Sequence, residues 1–220
     1  MIAKSYDEFL GALNGQGFLL FGGSRTGLMK LSDITDPAAW FSGGERDPWT
    51  WRSRLCEQRD GVYARLLGGQ TFLISMAWYP RFLAAYRRCD TLPERYEAGE
   101  VGRAVWQAYE LFEERGTLAK HDLTGLLGRT AAEKALAALQ REMYVTVSGE
   151  SQRVSAHFRP VGIPSMEFAR VSDWAAEALQ AAARLDGEAA RREIRIRAGE
   201  ISPAAERTAL NRLFEEWSVE

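Results

Sequence analysis

Between Val101 and Val171 the apolar positions change period. Val101, Ala104, Val105, Ala108, Leu111 and Phe112 recur at helical spacing, and Gly116 follows the charged turn Glu113-Glu114-Arg115 as a C-cap. Thr117-Leu118 fits a very short strand. Lys120 to Leu127 predicts a second helix with Leu123, Leu126 and Leu127 inward, ended by Gly128. Thr130-Ala131-Ala132-Glu133 has the residues of a capping box, so a third helix is expected to start there. It would bury Ala132, Ala135, Leu136, Leu139 and Met143 and turn Lys134, Ala138 and Arg141 outward. The period then falls to two. Tyr144 to Ser148 and Ser165 to Val171 predict antiparallel strands around a polar loop carrying Arg153, His157 and Arg159.

Before this segment the pattern is mixed. Ser5 fits the N-cap of a short amphipathic helix to Leu13, and Gly17 to Phe21 is an apolar strand candidate. Gly22-Gly23-Ser24-Arg25-Thr26-Gly27 lacks the Gly-Lys-Ser/Thr ending of a phosphate loop and reads as a turn. Asp47 and Pro48 open a helix expected to run through Leu55, Val62 and Leu66 to Gly68-Gly69. Thr71 to Ser75 is a strand candidate, Pro80 to Tyr86 a helix, and Asp90 to Gly99 a connection. After Val171, helices are expected at Ser172 to Arg184, Ala189 to Arg197 and Pro203 to Trp217, with Ser202 capping the last.

These elements predict a mainly helical α+β protein. Its core would be a winged helix-turn-helix over 99–171, with an aromatic-rich N-terminal α/β region over 1–98 and a helical extension over 172–220. A winged helix serves nucleic-acid reading in many proteins and protein docking in others, so the fold leaves both open. In the first case Arg129, Thr130, Lys134 and Arg141 would meet groove and phosphates, Lys120 and His121 would support the backbone contact, and Arg153 would act from the wing.

Charge limits that reading. The chain of 220 residues carries a net charge of -2, so DNA binding has to come from a local patch. Lys120, Arg129, Lys134, Arg141, Arg153 and Arg159 stand against Asp122, Glu133, Glu142 and Glu150, a small positive excess. Cys56, Cys89, His121 and His157 form no ligand spacing, so neither a metal site nor any other cofactor is expected. With no signal peptide, no spanning apolar run and no disulfide framework, a cytoplasmic protein without membrane contact is expected.

The N-terminal region concentrates aromatic and arginine residues. Most of these fit a core, with arginine stems packed across rings. A sharper expectation is a cleft lined by Trp49, Trp51, Arg52, Trp78 and Tyr79.

Asp47-Pro48-Trp49-x-Trp51-Arg52, then Phe72-x-Ile74-Ser75-x-x-Trp78-Tyr79-Pro80, then the segment from Val101, resembles the bacterial AlkZ-related proteins over most of the chain. That family is thought to be distantly related to the YcaQ/AlkZ winged-helix DNA glycosylases, which release alkylated or cross-linked bases. The resemblance implies double-stranded DNA as a partner and a tie to repair or transcription. Those glycosylases position water with a Gln-apolar-Gln or Gln-apolar-Asp motif, because an oxocarbenium-like transition state needs an acceptor to steer a weak nucleophile. The nearest tripeptide here is Gln58-Arg59-Asp60, with Arg59 in the apolar position. Placed inside a helix, its first and third side chains would point to different faces, so no catalytic residue is assigned. The leading expectation is a DNA-binding protein that is not an enzyme. A diverged DNA glycosylase is one alternative. A protein-interaction or ligand-responsive module built on the aromatic half is another, and the acidic balance suits it.

Overall fold

A computed structural model describes residues 2–23, 26–88, 90–155, 157, 159–202, 205 and 207–215. Ser24 and Arg25 of the glycine-rich turn, Cys89, Pro203 and Trp217 lie outside the described residues. The chain divides into two compact units, residues 1–87 with 177–220, and residues 88–176. The C-terminal helices, which the sequence sets apart as an extension, therefore belong with the N-terminal unit.

The first unit is built on a three-stranded antiparallel sheet of β1 (Phe18–Leu20), β2 (Gly61–Arg65) and β3 (Thr71–Ser75), with β3 in the centre. Its register sets Leu19 opposite Leu73 and Leu73 opposite Tyr63, so these three share one face. That face packs with α1 (Tyr6–Gln16) and α2 (Pro48–Glu57) through Phe9, Leu13, Trp51 and Leu55. The other face carries Phe18 and Phe72. They meet Phe82 of α3 (Tyr79–Tyr86), and Phe18 also meets Phe214 of the last helix. A sheet covered on both sides needs apolar residues at consecutive positions, which is why these strands read as unbroken apolar runs.

The helix opened by Asp47 is shorter than the sequence predicts. It ends at Glu57, and Arg59 turns the chain with φ 57°. The Asp60 amide donates to the Leu55 carbonyl and the Arg59 amide to that of Cys56, the two bonds of a Schellman ending. Gly61 then enters β2, where a β-carbon would stand 2.8 Å from the Ile74 carbonyl oxygen. Close backbone approach, rather than apolar period, decides this boundary.

Two of the C-terminal helices, α10 (Gly187–Ile201) and α11 (Arg207–Glu215), complete the first unit. Arg81 of α3 pairs with Glu193 of α10 at 2.6 Å, and Arg191 donates to the Ala85 carbonyl at 2.8 Å. Ile194, Ile201, Leu210 and Phe214 are buried, whereas Ile196 faces solvent. The start of the helix that Ser202 is expected to cap lies largely outside the described residues; the Ser202 hydroxyl accepts from the Met29 amide at 2.8 Å.

The second unit runs α4 (Leu92–Glu97), α5 (Arg103–Arg115), β4 (Thr117–Ala119), α6 (Lys120–Leu127), α7 (Arg129–Arg141), β5 (Val145–Ser151), β6 (Ser165–Arg170) and α8 (Val171–Trp174). Its sheet is also antiparallel, with β6 between β4 and β5. From α5 onward this is the order of helices and strands that the periodicity predicts. The segment read as a connection contains α4, whose N-terminus carries a reciprocal cap between Thr91 and Glu94. The long helix expected from Ser172 is split at Ala175 into α8 and α9 (Ala176–Ala182).

Ala132, Ala135, Leu136, Leu139 and Met143 are buried, fixing the inner face of α7. Its start differs from expectation. Gly128, at φ 78°, ends α6 and is also the N-cap of α7, with no side-chain cap bond. Thr130 lies inside the helix, and Glu133 is drawn away to Lys120 and Arg129, each at 3.4 Å.

Candidate nucleic-acid interface

The loop leaving β5 folds back on itself before β6. Val154 bridges to Pro160, the Val161 amide donates to the Arg153 carbonyl, and Gln152 Nε2 donates to the Val161 carbonyl at 3.0 Å. This hairpin, the end of α5 and the outer side of α6 bound an open groove of about 520 Å³. Arg115, His121, Gln152 and Arg153 supply its polar lining, Asp122 its acid, and Leu126 and Val154 its apolar surface. Leu126 is 49% exposed there, not inward as its spacing suggests.

The predicted basic residues differ in how much charge they leave available. Lys120 and Arg129 share the Glu133 carboxylate, and hydrogen bonding and charge from Lys120, then Arg129, hold that carboxyl below its usual range. His121 lies 3.4 Å from Asp122 and its backbone amide donates to Ser165 Oγ. The His121 Nδ1 atom is buried without a hydrogen-bond partner among the described residues. Arg141 stands 3.7 Å from Glu142. Thr130 is exposed on the first turn of α7. Lys134 and Arg153 are exposed, and no carboxylate among the described residues pairs with either. Arg115 shares that condition at the groove edge. Periodicity gives no signal at Arg115 and Gln152, which sit at element ends, and only the fold brings the two to one groove.

A buried ion pair stands behind α7. Arg95 of α4 meets Glu142, just past the end of α7, at 2.6 Å, and also reaches Glu100 at 3.2 Å. The Tyr144 hydroxyl donates to the Asp90 carbonyl at 2.6 Å and lies 3.4 Å from the Arg95 guanidinium. These contacts fix α4 to the end of the helix that would read a groove.

The five residues expected to line an aromatic cleft are not gathered into one. Trp51 is 1% exposed, stacks on Phe9 at 5.4 Å and donates from Nε1 to the Glu45 carbonyl. Tyr79 is core, and Trp78 packs edge-on to Phe18 with Arg81 at its face. Trp49 and Arg52 do come together, with the guanidinium 3.9 Å from the ring centroid. Around them stand Phe21, Trp40, Phe41 and Tyr63. Phe41 was not singled out by the sequence, yet it is 71% exposed.

Gln58 and Asp60 serve the local structure. Arg54 Nε donates to Gln58 Oε1 at 3.1 Å, and the Tyr6 hydroxyl donates to Asp60 Oδ2 at 2.8 Å. Burial and this bond to Asp60 push the Tyr6 hydroxyl well above the ordinary tyrosine range. The tripeptide is a helix ending rather than helix interior.

Among the described residues no three His, Cys, Asp or Glu side chains cluster to hold a metal ion, and no helix is long and apolar enough to cross a membrane. The molecule is thus of the mainly helical α+β class, with two small antiparallel sheets. Within that class, the chain belongs to the AlkZ-related family, whose model matches residues 3–215. No curated protein and no solved structure matches it.

Proposed function

We propose that this chain binds double-stranded DNA as a winged-helix protein, through α7, the β5–β6 hairpin and the groove beside α6. The observation that carries the reading is that three exposed cations there have no carboxylate partner among the described residues: Lys134 on α7, Arg153 on the hairpin and Arg115 at the groove edge. Cations held in ion pairs must break them to meet a phosphate; these three need not. The order of elements from α5 to β6 suits a helix entering a major groove with a hairpin at the flanking backbone. Membership of the AlkZ-related family, with the relation to DNA glycosylase-like proteins that it suggests, supports nucleic acid as the partner.

Anisotropy titration of a labelled random-sequence duplex at low salt tests this. Binding is expected. The combined Arg115→Ala, Lys134→Ala, Arg153→Ala variant should lose on the order of tenfold or more, with a salt slope shallower by about one for each phosphate contact removed. No binding, or binding unchanged in the triple variant, overturns the proposal.

A further inference from the structure

We infer that Phe41 and Trp49 form a stacking site for an unpaired nucleobase of a DNA strand. The inference rests on the nucleic-acid reading above and concerns the first unit alone.

Phe41 has φ 62° and is 71% exposed. A bulky residue enters the left-handed region only where its surroundings impose it. Here the Asp47 carboxylate does so. Its Oδ1 accepts from the amides of Phe41 and Trp49, each at 2.9 Å, and its Oδ2 accepts from Gly43 at 3.0 Å. Asp47 itself is 1% exposed. A buried carboxylate thus holds a strained loop so that an aromatic ring stands in solvent. Chain connection alone requires none of this.

The ring does not stand alone. Its centroid is 5.0 Å from that of Trp49, which is 39% exposed, and 6.1 Å from that of half-buried Trp40. Against Trp49 lies the buried Arg52 guanidinium, 3.9 Å from its centroid. The cation–π contact holds the indole in place, and base stacking on such a ring is tolerant of base identity. Arg46, exposed on the same loop, adds charge suited to flanking phosphates, with Glu45 beside it as the opposing charge. Bases inside a duplex offer only their edges to the grooves. Along the length of a duplex the π-faces are covered by stacking, whereas an unpaired base can offer one to an exposed ring.

The test uses the whole protein and three labelled probes: a paired duplex, the same duplex with one unpaired thymine, and single-stranded oligothymidine. The duplex with the unpaired base should bind on the order of tenfold tighter than the paired one. Phe41→Ala should remove that preference and weaken oligothymidine binding while leaving the paired duplex unchanged, and Phe41→Tyr should retain it. Circular dichroism checks that each variant is folded. Equal affinity for the two duplexes, or a preference that survives Phe41→Ala, overturns this inference and leaves the groove reading standing. Oligothymidine binding that depends on Phe41, without any duplex binding, upholds the stacking site and removes the groove reading. Absence of binding to all three probes overturns both readings.

Discussion

The two units contain sheets with the same strand order, the third strand lying between the first and second, yet they spend them differently. In the first unit the central strand is buried on both faces, and aromatic rings from α3 and α11 close over the sheet. In the second, β5 begins buried at Val145 and becomes partly exposed toward Ser151, where the hairpin leaves the body. One sheet is a core and the other carries a projection. The charges differ likewise. The first unit's link between α3 and α10, Arg81 to Glu193, lies at the surface, whereas Arg95 and Glu142 in the second are buried. Equal topology therefore does not give equal use; what covers each sheet decides it.

The sharpest break in that comparison is expected at the ion pairs. Arg95→Ala strands the Glu142 carboxylate in a buried setting and should cost about 3–5 kcal/mol. Arg81→Ala removes a pair that water already screens and should cost under about 1 kcal/mol. Urea denaturation followed by circular dichroism compares the two directly. Similar losses would mean that the depth of the pair is not what separates the units.

Much of this was readable in advance. The inner face of α7, the strand pair after it and the Asp47 cap all follow from signals within a few residues of one another. What escaped reading depends on contacts farther off. Trp49 and Trp51 are two residues apart on one helix, yet the first is 39% exposed and the second 1%. No local pattern separates them, because the difference comes from Phe9 stacking on Trp51 from α1. Phe41 escaped for a related reason: its exposure follows from a backbone turn imposed by a carboxylate six positions later. Arg115 joins the groove only once the hairpin is in place. Spacing assigns Leu126 an inward face, whereas the helix presents it to that groove.

Asp47 offers a second way to sharpen the contrast, through pH. Burial raises its carboxyl, but the amides of Gly43, Trp49 and Phe41 outweigh this and hold it below its ordinary value. A carboxyl depressed in the folded state contributes stability that is present above its unfolded value, about 3.9, and lost as pH falls through the lower folded value. Asp47→Asn should therefore cost about 2 kcal/mol at neutral pH, the scale of hydrogen bonds to a charged acceptor. That cost should shrink in urea titrations below about pH 4. A cost that stays constant down to strongly acid pH would show that the loop is held by shape rather than by charge.

The smallest expected effect separates two copies of one sequence pattern. Thr91-x-x-Glu94 and Thr130-x-x-Glu133 both spell a capping box, but only the first forms one. At Thr91 the Glu94 amide donates to the threonine oxygen, and the glutamate accepts from the Thr91 amide at 3.0 Å. At Thr130 the turn is already made by Gly128, and Lys120 and Arg129 compete for the glutamate. Thr91→Ala should thus cost about 1 kcal/mol, the loss of a side-chain cap. Thr130→Ala should stay within about 0.5 kcal/mol of the parent, since an exposed helical site accepts alanine well. If Thr130→Ala costs as much as Thr91→Ala, the cap at α7 forms in solution and Glu133 releases its cations, which would then stand free beside Lys134. Denaturation of these two variants measures which partner wins the glutamate, and so how much charge the start of α7 can offer to a phosphate.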